Sequence, residues 1–459
     1  MESYKAAIIP RKNNSSIFEL EITLNEYIVD FSELSLRIDS VVLDICEKLD
    51  SIGDILSFSK IYLIEWMNSV NRLSLPQNIV LFFHNVLVFR NQIPESVLEL
   101  CIQCCLILLY KDLDDSMMCL VCDICDIAKD YSDSVFCLSL TILENVSIES
   151  RELACVIFSI VGNEIITKLS VIEDNPMIIS AMKYIKTVFY YSQQKKDPLH
   201  NIVDGYMYND VLNVAMHYIM NECIDVVCQS IEIMIYLSNN PKLCEIMMQN
   251  EIGFHIMRIL NQHNDKVASY AYDLVYKLSL YSEIKRQQSP FITSEFFENM
   301  LIDLKNTNSS IIKSILRIIY SFIPSYFCIL ENAGIINHMF SCFDEYSFIY
   351  MNDFFKCISL SIREINENVL PEYFNKDFFD KVSVIYQMDN IFLIETFSQV
   401  MIELLCSVDD HSMVINTFFE SESLHGLENY IGNHDGGTLQ YSDKLKRMLD
   451  EANQGNNSI

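Results

Sequence analysis

DVVCQSIEIMIYLSNNPKLCEIMMQNEIGFHIMRILNQ, from Asp225 to Gln262, is the stretch on which the fold reading turns. An apolar anchor near the end of its first helix-period run, Leu237, recurs at Leu278, Phe322, Ile362 and Leu405, with spacings of 41, 44, 40 and 43. A second marker keeps the same rhythm. Gly253, Ser294, Gly334, Asn375 and Ser421 follow one another at 41, 40, 41 and 46, each just before an apolar segment, where a helix needs a cap or a turn residue. Two unlike markers on one period of about forty residues describe stacked units of two or three helices, which bury their apolar faces only against their neighbours.

Length and composition agree. At 459 residues the chain exceeds the usual limit of one globular core, so it is several domains or one elongated stack. Only 10 Gly and 9 Pro are spread through it, with no Ser/Gly-rich or Pro-rich linker, which leaves little punctuation for hairpins or phosphate loops. The fold class expected is all-α. A hydrophobic content of 51% suits helices covered on two sides. The apolar runs Asn78 to Phe89 and Cys101 to Tyr110 are short for a membrane span. The longer run Ile311 to Leu330 carries Lys313, Arg317 and Pro324, so no membrane association is expected. The first residues, MESYKAAIIPRKNNSS, lack the apolar core of a signal peptide, and the expected location is cytoplasmic, nuclear or both. Sixteen cysteines lying inside apolar runs fit a reducing compartment.

Each unit of the period reads as a short first helix (Pro241 to Gln249), a second (Phe254 to Gln262) and a longer third (Lys266 to Leu280). Further third helices are expected over Ser310 to Phe322, Met351 to Ile362 and Ile391 to Cys406. This pattern resembles the armadillo repeat, with QNEIGFHIMRIL and ENAGIINHMF similar to its turn into the second helix. The resemblance implies a right-handed superhelical solenoid of armadillo/HEAT-like repeats. Upstream anchors fall at Val146 and Tyr191. The expected organisation is a disordered tail over 1–16, divergent helical repeats over 17–93, the solenoid over 94–436 and a capping helix and tail over 437–459.

GLENYIGNHDGGTLQYSDKLKRML, from Gly426, resembles the end of the importin alpha solenoid through Gly426, Leu427, Glu428, His434, Asp435, Tyr441 and Lys444. In that family tryptophan and asparagine pairs on successive third helices hold a basic peptide along the concave face. Here the asparagine positions hold Asn145, Tyr190, Tyr236, Lys277, Ser321 and Ser361, the peptide-binding candidates. The tryptophan positions, four residues earlier, hold Thr141, Lys186, Glu232, Asp273, Arg317 and Cys357. Only Asn145 keeps the family residue. The basic N-terminal segment through which the family couples to importin beta is reduced to Lys5, Arg11 and Lys12, so an importin-beta-like partner is not expected.

With 62 acidic and 32 basic residues the net charge is −30, which opposes nucleic acid and favours basic protein segments as partners. Cys101-x2-Cys104 and Cys122-x2-Cys125 formally fit a four-thiolate zinc pattern, but both pairs also read as neighbours on buried faces of helices over Ser96 to Tyr110 and Asp114 to Lys129. The second reading is preferred, and no metal or other cofactor is expected. No nucleotide-binding glycine pattern, zinc-protease motif or nucleophile elbow is present, and Asp409, Asp410 and His411 read as a solvated turn. The expected function is a non-enzymatic protein-binding adaptor of importin-alpha-like type working in nuclear transport, or else an armadillo/HEAT scaffold bridging protein partners.

Overall fold

A computed structural model describes residues 37–38, 49–68, 78–111, 117–131, 133–192, 205–287, 289–305, 309–341, 348–366, 369–388, 390–407, 412–433 and 440–456. All regular structure among them is helical. The chain divides into two compact units, Met1–Val214 and Ala215–Ile459. The first holds α1 (Leu49–Asn68), α2 (Ile79–Val88), α3 (Glu95–Lys111), α4 (Met118–Asp130), α5 (Ser134–Glu149), α6 (Arg151–Leu169) and α7 (Asn175–Ser192). The division falls within α8 (Gly205–Tyr218). The second unit holds α9 (Ile224–Leu237), α10 (Pro241–Gln249), α11 (Ile252–Leu260), α12 (Asp265–Lys285), α13 (Ser294–Leu304), α14 (Ser309–Asn332), α15 (Ile335–Ser341) and α16 (Phe348–Ile362). It continues with α17 (Leu370–Tyr373), α18 (Lys376–Val382), α19 (Val384–Gln387), α20 (Ile391–Ser407), α21 (Ser412–Phe419), α22 (Glu422–Asn433) and α23 (Gln440–Asn456).

In each unit the long helices pack in a row. In the first, α1, α3, α5 and α7 touch in sequence, and α2, α4 and α6 form a second row beside them. The contact of α1 with α3 runs across the boundary at residue 94 that the sequence suggests. In the second unit the row is α9, α12, α14, α16, α20 and α23, and shorter helices pack against it and against one another. The first unit thus advances one long helix for every two helices, whereas the second inserts two short helices between α9 and α12. Helices packed on their neighbours in this way are consistent with an α-solenoid.

The forty-residue period of the sequence returns as the separation between hydrogen-bonded side chains. Lys60 donates to Gln103 at 2.6 Å, Arg90 to Asp130 at 2.7 Å and Thr187 to Glu144 at 3.2 Å in the first unit. In the second, Ser314 donates to Asp273 at 2.7 Å, the Cys357 thiol to Leu316 O at 3.3 Å and Tyr373 to Glu331 at 3.2 Å. The hydroxyls of Ser398 and Ser442 lie 3.1 Å apart. These links join residues 40 to 44 apart, the same spacing as the sequence period. The anchors Leu237, Leu278, Phe322, Ile362 and Leu405 are all buried, as is Val146. Each contributes about 1.5–3 kcal/mol by leaving water. Tyr191 ends in α7, and nothing is described of its side chain.

Side-chain caps explain several helix starts. Asn240 accepts from Lys242 N–H at 3.0 Å with Pro241 in the first turn of α10, and Asn264 does the same for Lys266 N–H at 3.1 Å in α12. Asn375 caps α18 through Phe378 N–H at 3.0 Å. Gly334 turns into α15 at φ +75, as the turn reading requires. Gly253 does not play that part. The left-handed residue before α11 is Glu251, at φ 56, and Gly253 lies inside the helix, where a Cβ would come 3.3 Å from Pro290 Cβ. The second helix therefore starts at Ile252 and not at Phe254. Ser294 is likewise inside α13, whose cap is Thr293. The third helix expected to end at Phe322 runs to Asn332 as α14, with Pro324 inside it and a non-helical Tyr326. Among the described helices, Ser310–Asn332 is long and apolar enough to cross a membrane by length and composition, yet here it packs between α12 and α16. The tail expected over residues 1–16 lies outside the described residues.

Candidate functional site

The six ladder positions fall on long helices, Asn145 on α5 and Tyr190 on α7 in the first unit, and Tyr236, Lys277, Ser321 and Ser361 on α9, α12, α14 and α16 in the second. Asn145, Tyr236, Lys277 and Ser321 are half-buried and Tyr190 is 46% exposed. Ser361 is different. It is fully buried, and its hydroxyl donates to Cys357 O one turn back at 2.9 Å. Cys357 is equally buried. The solvent-facing side of α16 carries Asn352, Lys356, Ser359 and Leu360 instead, with Arg363 directly after its end. Counting from the anchor fails here because a rotation of one residue, about 100° of helix, exchanges the exposed and buried faces.

The charges on this row in the second unit neutralise one another. Asp273 accepts from Ser314 and lies 3.7 Å from Arg317, Asp353 pairs with Lys356 at 3.2 Å, and Arg363 lies 3.8 Å from Glu403, which also accepts from Ser359. Lys277 donates to Asn239 at 3.2 Å. Exposed pairs of this kind are each worth about 0–1 kcal/mol. Their consequence is electrostatic: four cations interrupt what net acidity would make a continuous acidic track.

A cleft of about 500 Å³ opens beside Ser321, between the end of α12 and the bend in α14. Its shape follows from two backbone events. Arg286, in the left-handed region at φ 54, terminates α12, with its N–H donated to Glu283 O and that of Gln287 to Ser282 O, both at 2.9 Å. Pro324 has no N–H to give to the carbonyl four residues back, so α14 bends and Tyr326 turns out at φ −134, ψ 21. Glu283, Arg286 and Gln287 present a carboxylate, a guanidinium and an amide to this space. Among the described residues no side chain pairs with any of the three. Ser282 and Ser321 have hydroxyls already donated to Leu278 O and Ile318 O, leaving their oxygens as acceptors toward the cleft. The assembly suits reversible binding of a group with both donors and acceptors. Of its residues the sequence singled out Ser321 as a binding candidate and Phe322 as a packing anchor; the polar run KRQQS directly after an apolar helix, with Pro324 one repeat on, was the available signal.

Elsewhere the chemistry is internal. Cys101 and Cys104 are buried in α3, where burial holds both thiols well above their ordinary pKa, and Cys104 donates to Leu56 O at 3.5 Å. Cys122 is exposed on α4, while Cys125 is buried and pushed up to about 12. Among the described residues no three His, Cys, Asp or Glu side chains converge as metal ligands. Among the described residues Asp303 is the most enclosed carboxylate. It accepts from the Tyr272 hydroxyl at 2.8 Å and lies 3.5 Å from His263, and burial raises its pKa against the lowering effect of those two partners. Residues 409–411 lie outside the described residues.

No protein-family model matches the chain. No curated protein matches it either. Among solved structures it is similar to an engineered protein studied by a structural genomics consortium, at a TM-score of 0.59 and 10% identity over 90% of this chain and 98% of that one. At that identity the likeness is one of fold alone.

Proposed function

We propose that the protein is a non-enzymatic, protein-binding adaptor whose second unit, built as a right-handed stack of armadillo-like repeats, takes an extended polypeptide segment on its row of long helices. The cleft beside Ser321 carries this reading. Its unpaired Glu283, Arg286 and Gln287 offer both hydrogen-bond senses and both charges, as an extended main chain with mixed side chains requires. The self-paired charges along the row argue for a mixed-charge segment over a lysine-rich one, and so for an adaptor or scaffold role before a conventional nuclear-import role.

Selection of binders from a random peptide display library with the full chain tests it. Enriched peptides should carry acidic and basic residues together, and their binding should fall about tenfold or more, about 1.4 kcal/mol, on Arg286→Ala combined with Gln287→Ala. Failure to enrich any peptide, or binding indifferent to the double substitution, would overturn the assignment to this cleft.

A further inference from the structure

Cys119 and Cys122 stand three residues apart in the first two turns of α4. In an α-helix that spacing puts both side chains on one face with Cα atoms about 5 Å apart, inside the range a disulfide spans. Cys122 is exposed and Cys119 half-buried. The thiols at helical spacing on α3, Cys101, Cys104 and Cys105, are buried, and so is Cys125, three residues beyond Cys122 on α4, so among the described residues Cys119 and Cys122 are the pair at this spacing in which neither residue is buried.

The surroundings divide the work between the two sulfurs. Burial dominates at Cys119 and raises its pKa; the N–H groups of Leu120 and of Cys119 itself pull the other way, and the charges of Asp123 and Cys122 add to the rise. Asp123 does not stand alone, because His84 of α2 lies 2.7 Å from it and draws its carboxylate across to the neighbouring helix. Cys122, facing solvent, is the sulfur an oxidant meets first.

We propose that Cys119 and Cys122 form a dithiol that closes to a disulfide on reaction with small-molecule disulfides of the glutathione class. The Cys122 thiolate attacks one sulfur of oxidised glutathione, the S–S bond breaks, and one glutathione leaves as thiolate and takes up a proton. Cys119 then loses its proton to solvent and attacks the Cys122 sulfur of the mixed disulfide, releasing the second glutathione. Two protein thiols are oxidised and one glutathione disulfide is reduced to two thiols. Cys119 is the thiol that burial holds protonated, so the rate of the second step should rise toward alkaline pH.

The full chain, reduced and freed of reductant, is incubated with oxidised glutathione at mildly alkaline pH, alkylated and mapped by peptide mass spectrometry. The peptide spanning Cys119 and Cys122 should resist alkylation and lose the mass of two hydrogens. Cys119→Ser should instead accumulate a glutathionyl adduct on Cys122, and Cys122→Ser should leave Cys119 alkylatable over the same time. A persistent adduct on Cys122 in the unsubstituted chain, pairing of Cys122 with any other cysteine, or two thiols that remain alkylatable would each overturn the proposal.

Discussion

Glu395 of α20 accepts the backbone N–H groups of both Tyr441, at 2.7 Å, and Ser442, at 3.1 Å, and so caps α23 from a different helix. The first amides of a helix have no partners within it, and a carboxylate there also meets the positive end of the helix dipole. The Ser442 hydroxyl donates to the same carboxylate at 2.5 Å. The last helix is thus fixed by charge as well as by its buried Leu445 and Leu449. Asp380 repeats the device by accepting from Glu422 N–H at 3.0 Å at the start of α22.

Glu395→Ala should therefore cost about 1–2 kcal/mol of local stability. Amide hydrogen exchange is the measurement. Protection should fall across residues 441–449 while that of α12 and α14 stays unchanged; uniform loss across the second unit would show that α23 is not held separately.

At the middle of the second unit, Leu278 is fully exposed to its neighbours and not at all to water. Leu278→Ala should lower stability by about 2–5 kcal/mol. Leu278→Asp should be worse, because an unpaired carboxylate is costlier than a cavity. Thermal denaturation that ranked Asp as harmless would show that the anchor does not lie between stacked helices.

Tyr272→Phe removes the hydroxyl that Asp303 accepts from and should cost about 1.5–3 kcal/mol near neutral pH. The sign with pH follows from the carboxylate. Its pKa is raised in the fold by burial, so the stability Asp303 contributes is greatest when it is protonated and is lost as pH rises from its unfolded value through its folded one. Tyr272 opposes that rise, and its removal pushes the folded pKa further up. His263 and Asp265 also act on Asp303 and remain in place. The gap between variant and parent in denaturation midpoint should hence widen from acid to neutral pH, and a gap that narrows would contradict the linkage.

Gly426 shows how a residue can be legible for one reason and required for another. In the sequence it marks a C-terminal motif; in the structure a Cβ there would come 2.6 Å from Tyr386, a buried ring. Gly426→Ala should cost about 1–3 kcal/mol by overpacking, read as a fall in melting temperature. Gly432→Ala, with nothing within 4 Å, serves as the control that helix propensity alone should leave unharmed or improve. Equal effects at the two positions would mean that α22 does not press on Tyr386.

The anchors and the start of α10 were legible because burial and Asn-Pro capping are written in local residue types. The start of α11 was not, because Glu251 takes the left-handed turn that the nearby Gly253 suggests for itself, and Gly253 is needed for the approach of Pro290. The bend at Pro324 was visible as a proline, but not the cleft it opens, since that depends on where α12 ends. Of the ladder, Ser361 misled because a small hydroxyl satisfied within its own helix is equally at home buried or exposed. Glu395 and Asp380 could not be found at all, because each acts on a helix start more than forty residues away.

Those same cross-links set the last expectation. A lysine-rich nuclear signal needs carboxylates free to meet it and flat rings to flank its aliphatic stems. On the row of long helices Asp273, Asp353 and Glu403 already face Arg317, Lys356 and Arg363, and the positions four residues before Tyr190 and Tyr236 hold Lys186 and Glu232 in place of tryptophan. Binding of a labelled lysine-rich peptide should be weaker than about 1 μM, roughly −8 kcal/mol, and should weaken further at about 0.3 M salt, where exposed charges are well screened. Fluorescence anisotropy decides it. Arg317→Ala should strengthen the interaction by releasing Asp273, and Tyr236→Ala should change it little. Nanomolar binding that survives the added salt would mean that another acidic surface takes the peptide, and weakening by Arg317→Ala would mean that the paired charges are not what keeps it away.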